Sequence, residues 1–142
     1  MGKIGRLVWR QVPDGINWTK YDDPATTDAP YAESDPVLIR ELDWEINIQD
    51  PRVVQTEDGY IMLYSSFDGN FRNQGYNFAF SEDGIHWNRL FEEALLPRRS
   101  FPRNPWYPTL VYHDGRLYFY FSMDSRTGTD IFVGTYEGNL AE

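Results

Sequence analysis

The chain has 142 residues, enough for one domain of ordinary size, and a formal net charge of -9. Nucleic acids and anionic membranes both select basic surfaces, so this charge argues against either as a partner and leaves a neutral or cationic ligand. The absence of cysteine excludes disulfides and thiolate metal sites. The aromatic fraction of 17% favours β-strands.

The first third of the chain predicts part of one sheet followed by a connector. Residues 5–18, GRLVWRQVPDGINW, read as a strand, an acidic-Gly turn and a Trp. The start of the given sequence, MGKIGRLVW, lacks the apolar run of a signal peptide. Residues 20–35 are polar and rich in Asp, Pro and Thr, which predicts an irregular surface segment. Residues 36–39 look like an outer strand, and residues 42–48 like a loop or short strand. The compartment of the protein stays undetermined.

Residues 50–91 predict a complete four-stranded unit. DPRVV is a short β-branched run, and Asp58-Gly59 offers the positive φ angles of a tight hairpin turn before the return strand YIMLYSS. A polar loop leads to YNFAFS, and Asp83-Gly84 then turns the chain towards Trp87, with WNRLF as a possible fourth strand. The return strand is apolar on both faces, as in a sheet stacked between neighbours.

Residues 92–142 predict a connector and then a second copy of the unit. The connector is rich in Pro and Arg, and WYPTLVYHDGRLYFYFS follows it. Asp114-Gly115 lies 56 positions (114 minus 58) after Asp58-Gly59, and residues 135–138 match Ser81–Gly84. A repeat of about 50 residues with four strands per unit is typical of a β-propeller.

The predicted fold is therefore all-β, with antiparallel four-stranded blades of an incomplete propeller. One domain, residues 1–142, holds two to three partial blades: the back of one blade and a connector in 1–49, a complete blade in 50–91, and a connector with the front of the next blade in 92–142. Propellers close with ~4 to 8 blades. We therefore expect either a longer parent chain or self-association.

Three motifs carry a resemblance to a known group of enzymes. The order DPRVV, DGYIMLYSSFDG and FAFSEDGIHW resembles the five-bladed β-propeller glycosidases, the broad group that holds glycoside hydrolase families 32, 43, 68, 117 and 130. DPR followed by DGYIMLYSSFDG looks most similar to family 130, the mannoside phosphorylases and hydrolases. The resemblance covers most of the chain and implies a carbohydrate ligand, no cofactor and glycosidic bond cleavage by carboxylates on the propeller axis.

The resemblance makes Asp50 the candidate catalytic residue. Glycosidases need a pair of carboxyl groups across the scissile bond, one protonated and one ionised. In the resembling enzymes the first residues of successive inner strands point at the axis, and Asp50 matches that position; it would tune the pKa of the acid, stabilise the transition state or, as in family 130, donate the proton. The alternative is that an Asp before a Pro is a turn or capping residue.

Other residues are candidates for substrate binding. Arg52 is a candidate to steer Asp50 or a sugar hydroxyl, with an exposed strand Arg as the alternative. Asp68 is a weaker candidate, as are Asp35, Asp43 and Glu45, because acidic loop residues are usually only solvated. Aromatic rings stack on sugar faces, which makes three residues possible sugar platforms: Trp44, Trp106 and Tyr107. Trp18 and Trp87 recur by position in the repeat, which favours a packing role.

One departure weakens the enzyme interpretation, and a metal role is not expected either. Where families 32 and 43 carry the acid Glu, the chain reads NPWYPTL, and Tyr107 has a phenol, which is a poor proton donor at neutral pH. His86 and His113 lie in turn contexts without a second ligand nearby in sequence, so no metal site is expected. Two hypotheses remain: part of a glycoside hydrolase or phosphorylase, or a noncatalytic propeller segment that binds carbohydrate or assembles. We expect weak oligosaccharide binding and almost no turnover by the chain alone.

Overall fold

The computed structural model of the protein describes residues 10–11, 19–70, 72–97, 100, 103 and 105–137. Within these ranges the chain forms β-strands and no α-helix, and every strand pair is antiparallel. The strands are, in chain order, β1 (Arg10–Gln11), β2 (Thr19–Lys20), β3 (Asn47–Gln55), β4 (Tyr60–Phe67), β5 (Asn73–Ser81), β6 (Asn88–Arg89), β7 (Leu96–Pro97), β8 (Pro105–His113), β9 (Arg116–Asp124) and β10 (Thr129–Glu137). The prediction of an all-β fold built from partial propeller blades is confirmed. A helix of membrane-spanning length and hydropathy is absent from these residues.

The central sheet is formed by three long strands and two short outer ones. Its order is β3-β4-β5, and the outer edge of β5 pairs with β6 at one end and β7 at the other. The outer strand is thus in two pieces, and the second piece lies beyond residue 91, where the sequence predicted the blade to end. Pro97 can join because it pairs only at the edge of the sheet, opposite Gly75.

The second sheet, β8-β9-β10, repeats the first three strands of the central one. The pair Gln49↔Ser65 corresponds to Trp106↔Ser122, each residue 57 positions later (106 minus 49 and 122 minus 65). The hairpins differ: Asp114 and Gly115 both have positive φ in a two-residue turn, whereas β3 and β4 are joined by the four residues 56–59. The tight turn predicted at Asp58-Gly59 is therefore wrong, since only the glycine has a positive φ.

Two apolar clusters cover the two faces of the central sheet. The first joins it to the second sheet and contains Ile61, Leu63, Tyr76, Phe78, Leu110, Leu117 and Phe119. The second lies on the opposite face and contains Leu38, Ile48, Met62, Tyr64 and Ala79, with Val37, Trp44, Val53 and Trp87 packed against it. The central sheet is therefore buried on both sides, as its doubly apolar return strand predicted.

The turn after β5 is held by one carboxylate. Oδ1 of Asp83 accepts hydrogen bonds from the backbone N–H groups of Ile85 and His86, both at 2.8 Å, and Oδ2 lies 2.7 Å from Nδ1 of His86. The hydrogen bond from the His86 side chain, together with these backbone bonds, keeps the pKa of Asp83 well below its usual range. The indole N–H of Trp87 donates to the carbonyl of Gly84 and closes the turn.

The first third of the chain is only partly described. β1 and β2 form a two-stranded sheet, but Trp18 and most of the first predicted repeat lie outside the described residues. In the predicted outer strand 36–39 only Leu38 forms an isolated bridge, and residues 21–36 are irregular, as predicted. Gly138, the last residue of the repeated turn, also lies outside the described ranges, as do Arg98, Arg99 and Pro102 of the connector.

Candidate functional site

Asp50 lies in a β-bulge near the start of β3. The register with β4 shifts between Gln49 and Arg52, and Asp50 has a φ of 56°. The Ser65 hydroxyl on β4 lies 3.1 Å from the carbonyl oxygen of Gln49 and 3.3 Å from Oδ2 of Asp50. The sequence predicted Asp50 to be the first residue of its strand, but β3 begins three residues earlier, at Asn47. Asp50 is instead a half-buried residue whose side chain is redirected by a bulge.

Tyr107 lies in the same kind of bulge in β8. The register shifts between Trp106 and Thr109, and Tyr107 has a φ of 49°. The Ser122 hydroxyl donates to the carbonyl of Trp106 at 3.2 Å, as Ser65 does in the central sheet. The Tyr107 side chain is 78% exposed. Positive φ in a bulky residue costs about 1–3 kcal/mol, and such strain concentrates at functional sites.

The two bulges lie at the same end of neighbouring strands. β3 and β8, the first strands of the two sheets, pack against each other, and each has its bulge within the first half of the strand. Across the two sheets, the ring of Trp106 stacks on Phe67 with centroids 6.0 Å apart, and Tyr107 is 6.4 Å from Trp106. We call Asp50, Trp106 and Tyr107 the bulge site: one carboxylate and two aromatic rings on two adjacent strands.

Two further candidates lie beside the bulge site with their polar groups already engaged. Nη1 of Arg52 donates to the carbonyl of Pro51 at 2.9 Å, so the guanidinium turns back onto the bulge. Oδ1 of Asp68 accepts from the backbone N–H groups of Arg72 at 2.9 Å and Asn70 at 2.8 Å. These hydrogen bonds lower the pKa of Asp68, and the bond from the Arg72 backbone has the larger effect. Asp68 thus shapes the loop that follows Phe67, and a role in ligand binding stays a prediction for both residues.

Trp44 makes the contacts of a packing residue. Its ring is stacked on Tyr64 with centroids 6.3 Å apart and an interplanar angle of 14°. Its indole N–H donates to the carbonyl of Glu92 at 3.1 Å. It belongs to the second apolar cluster, on the face of the central sheet opposite the β8–β10 sheet. These contacts give no support to its predicted role as a sugar platform, so Trp44 is left out of the bulge site.

Glu45, predicted to be solvated, is instead buried in a polar cluster. It retains 2% of its exposure and receives five hydrogen bonds. Nε and Nη2 of Arg89 donate to its two carboxylate oxygens at 2.8 and 2.9 Å, and the Tyr64 hydroxyl donates at 2.7 Å. The backbone N–H groups of Glu41 and Leu42 supply the other two. Residues 39–45 are thereby fastened to the central sheet.

The electrostatics of this cluster stabilise ionised Glu45. Burial by itself raises the pKa of Glu45, but the hydrogen bonds from Arg89, Glu41, Tyr64 and Leu42 outweigh it, and the pKa is lowered. Burial and the bond to Glu45 both raise the pKa of Tyr64. The sequence gives no signal for this cluster, because Arg89 and Glu45 are 44 positions apart (89 minus 45). Asp35 is buried too, with Oδ2 accepting from the Asp23 backbone N–H at 2.7 Å, which corrects the expectation that it is solvated.

The bulge site offers the chemistry of a carbohydrate contact more than that of a metal centre. One carboxylate can accept hydrogen bonds from sugar hydroxyls or act on a glycosidic bond, and exposed rings can stack on the apolar face of a pyranose. In the part of the chain that the structure describes, no three His, Asp or Glu side chains are grouped to hold a metal ion.

Comparison with solved structures identifies the fold. The GH43_1 enzyme from Xanthomonas citri complexed with xylotriose matches 73% of this chain with a TM-score of 0.57 and 20% identity, and the match covers 32% of that enzyme. The xylose complex of the same enzyme matches 64% of this chain with a TM-score of 0.53, 20% identity and 29% of its own length. A glycoside hydrolase matches 92% of this chain with a TM-score of 0.56 and 19% identity, over 35% of its length.

The sequence alone identifies no relative: no protein-family model and no curated protein matches it. The chain spans about a third of the length of the solved structures that it resembles. At identities of 19–21% the likeness among the matches with a TM-score above 0.5 concerns the backbone architecture. The described chain has the β-propeller blade fold found in GH43 glycoside hydrolases.

Proposed function

We propose that this chain contributes a carbohydrate-binding site to a glycoside hydrolase-like propeller, and that the bulge site is the surface that meets the sugar. The observation that carries the proposal is the pair of equivalent, strained bulges that present Asp50 and Tyr107 on adjacent strands. Backbone strain of this kind is retained where a side chain must be aimed. A net charge of -9 suits a neutral ligand such as an oligosaccharide.

In this proposal Asp50 is the carboxylate that acts on the glycosidic bond. Its position beside the Ser65 hydroxyl keeps Oδ2 oriented. Glycoside cleavage takes a second carboxyl group, and ~5 Å between the two gives retention while ~6.5 Å or more gives inversion. The partner carboxylate comes from outside the bulge site, since the equivalent position in the next sheet is Tyr107. Trp106 and Tyr107 stack on the sugar, and Arg52 and Asp68 supply hydrogen bonds at its edge.

A second candidate function is sugar binding without cleavage, and Tyr107 favours it. The same kind of positive-φ bulge presents the carboxylate of Asp50 on β3 and the phenol of Tyr107 on β8. A phenol can donate a hydrogen bond to a sugar hydroxyl and stack on a ring, but it protonates a leaving group poorly at neutral pH. With one carboxylate and two aromatic rings, the bulge site alone is equipped to hold a sugar rather than to split it.

Titration with xylotriose tests the proposal. The probe follows from the matched GH43_1 enzyme, which is complexed with that sugar. We expect weak binding by NMR or calorimetry, lost on Trp106→Ala and weakened by Asp50→Asn, and the same titration with a β-linked mannobiose tests the similarity to family 130. Release of nitrophenol from aryl xylosides and arabinosides then separates the two candidates. Turnover abolished by Asp50→Asn supports the enzyme, and binding without turnover supports the noncatalytic site.

The matched control is Asp114→Asn. Asp114 is also an Asp with positive φ, 49°, but it lies in the β8–β9 turn with an 84% exposed side chain. Both substitutions remove one negative charge and keep a residue that tolerates left-handed backbone. An equal effect of the two changes on sugar binding would contradict the assignment of the bulge site, as would the absence of binding to any of the oligosaccharides.

A further inference from the structure

Two consecutive aromatic rings lie close together at the start of β8. In a regular strand, side chains that follow each other in sequence point to opposite faces of the sheet. The rings of Trp106 and Tyr107 instead have centroids 6.4 Å apart and an interplanar angle of 35°. The cause is the bulge, which shifts the register between Trp106 and Thr109 and gives Tyr107 its φ of 49°. The bulge therefore places two rings side by side where a regular strand would separate them.

A third ring, from the central sheet, packs against this pair. Phe67 stacks on Trp106 with centroids 6.0 Å apart and an interplanar angle of 25°. Exposure rises along the series, because Phe67 is 4% exposed, Trp106 is half-buried and Tyr107 is 78% exposed. We call Phe67, Trp106 and Tyr107 the ring ladder. Its exposed end is thus fixed, through Trp106, to a ring of the core.

The backbone that carries the ring ladder is held on both sides. Pro105 and Pro108 flank the two β8 residues of the ladder, and both prolines are fully buried. Because proline fixes its own φ, the chain has few alternative conformations on either side of the pair. In the central sheet, Nδ2 of Asn47 donates to the carbonyl of Phe67 at 2.9 Å. A platform that is rigid before binding loses less entropy when a ligand binds.

The repeat shows that the fold does not require aromatic residues at these positions. The ladder registers of the two sheets are related by an offset of 57 positions (106 minus 49). By this offset, the counterparts of Phe67, Trp106 and Tyr107 are Asp124, Gln49 and Asp50. All three counterparts are polar, and Asp50 lies in the same kind of bulge. The aromatic residues of the ring ladder therefore serve something other than the architecture of the blade.

We propose that Trp106 and Tyr107 each stack on one of two consecutive sugar units, so that the site selects oligosaccharides over monosaccharides. A pyranose is about as wide as one aromatic ring, and two aromatic rings tilted by 35° cannot both lie flat on one sugar. Two linked sugars can match this tilt, because the glycosidic bond lets their mean planes rotate. Tyr107 thereby determines the preferred ligand length, and Phe67 is the positioning residue that orients Trp106. The inference rests on the proposed function, in which the bulge site meets a sugar.

NMR titration with xylose, xylobiose and xylotriose tests the role of Tyr107, because it also measures weak affinities. We expect the parent protein to bind xylotriose about tenfold more tightly than xylose, the gain from one further stacked ring. Tyr107→Ala should remove this gain by weakening xylotriose binding about tenfold while xylose binding changes by less than about twofold. Tyr107→Phe keeps the ring and should keep the gain. The control Tyr136→Ala removes a 41% exposed ring at the other end of the second sheet and should change neither affinity.

Failure of this inference is distinguishable from failure of the proposed function. A parent protein that binds xylose as tightly as xylotriose would overturn the two-ring platform and leave the sugar site in place. An equal loss of affinity for the two sugars in Tyr107→Ala would do the same. A parent protein that binds none of the three sugars would overturn the proposed function, and the inference with it.

A measurement without ligand tests the role of Phe67. The chain has five Trp residues, so fluorotryptophan labelling gives five fluorine resonances, and the one from Trp106 is missing in Trp106→Phe. Phe67→Leu keeps an apolar side chain but removes the ring that stacks on Trp106. We expect this change to shift the Trp106 resonance and to weaken xylotriose binding about threefold. The other resonances should stay in place, which confirms that the variant folds.

The matched control for Phe67→Leu is Phe78→Leu. Phe78 is also a buried ring of the central sheet, 5% exposed, but it pairs with Leu63 in the middle of the ladder. Its loss should leave the Trp106 resonance and the affinity for xylotriose unchanged. A Trp106 resonance that Phe67→Leu does not move, or a parental affinity for xylotriose in that variant, would overturn the positioning role of Phe67.

Discussion

Asp50 and Tyr107 occupy the same backbone position in two successive sheets. Each has a positive φ, 56° and 49°, each precedes a proline, and each follows a residue whose carbonyl oxygen lies within hydrogen-bond distance of a serine hydroxyl on the next strand. The fold therefore determines where this bulge position lies, whereas the residue type at the position determines which chemical group it presents. One sheet presents a carboxylate and the next a phenol.

Because this backbone position is strained, its preference among residues can be measured at Tyr107. The side chain is 78% exposed, so its removal costs little packing. We expect Tyr107→Asn to raise the free energy of unfolding by up to about 1 kcal/mol, because Asn adopts left-handed backbone more readily. Tyr107→Val should lower it by about 1–2 kcal/mol, since a β-branched residue is least tolerated there. Urea unfolding measures both, and equal stabilities would contradict the strain at Tyr107.

Removing the buried carboxylate of Glu45 should strongly destabilise the fold. Glu45→Gln leaves Arg89, whose side chain is 11% exposed, without its main counter-ion. Breaking a buried pair by changing one partner costs ~3–5 kcal/mol, and we expect about 3 because Arg89 keeps its contact with Glu41. Chemical denaturation followed by tryptophan fluorescence measures this loss.

Glu41→Gln is the matched control for that experiment. Glu41 binds the same guanidinium at 2.9 Å, but its side chain is 60% exposed. Exposed ion pairs contribute ~0–1 kcal/mol, so this change should lower stability by less than 1 kcal/mol. Similar losses in the free energy of unfolding for Glu41→Gln and Glu45→Gln would show that burial does not determine how much each ion pair with Arg89 contributes to stability.

The same carboxylate predicts a pH dependence. The folded-state pKa of Glu45 is lowered, so its ionised form adds stability above the ordinary glutamate pKa, and this stability is lost as pH falls through the folded value. Stability should therefore drop between pH 5 and pH 3, a window set by the ordinary value of about 4.3. Glu45→Gln should flatten that slope without abolishing it, because Asp68 and Asp83 also have lowered pKa values. An unchanged slope in Glu45→Gln would contradict the assignment.

The repeat of strands and turns was predictable from the sequence because both local signals recur. Alternating aromatic and β-branched runs, separated by Asp-Gly pairs, gave β3, β4, β5, β8 and β9 nearly at their observed bounds. The bounds that differ do so for tertiary reasons. β3 begins at Asn47 because that residue pairs with Phe67 across the sheet, and no local residue signals this partner.

The candidate site was less predictable than the fold. Asp50 and Tyr107 could be selected by their neighbours in sequence, but the bulges, and hence the equivalence of the two residues, depend on ladder register. Glu45 was undervalued because its burial depends on Arg89 in a distant strand. The stacking of Trp44 on Tyr64, 20 positions away (64 minus 44), also has no signal in the local sequence. A single sequence does not show which residues that are distant along the chain contact each other in the fold.

Gly59 should be one of the least replaceable residues of the central sheet. It ends the loop between β3 and β4 with a φ of +147°, and its carbonyl accepts a hydrogen bond from the backbone N–H of Thr56 at 2.8 Å. A Cβ at Gly59 would lie 2.5 Å from the carbonyl oxygen of Ser81, which is backbone of the neighbouring strand and cannot turn aside. Gly59→Ala therefore combines an unfavourable φ with a clash.

We expect Gly59→Ala to lower the free energy of unfolding by about 2–3 kcal/mol, the sum of a backbone penalty of ~1–2 and a shift of β5 against β4. Gly69→Ala is the control, because a Cβ there meets nothing within 4 Å and that glycine does not have a positive φ. It should be neutral or slightly stabilising, since Ala reduces the entropy of the unfolded chain. Hydrogen exchange of the β4 and β5 amides localises the effect: in Gly59→Ala protection should fall at the Tyr60↔Ser81 end of the ladder before it falls near Ser65. Uniform loss along the ladder would instead point to global unfolding and contradict a local clash at Ser81.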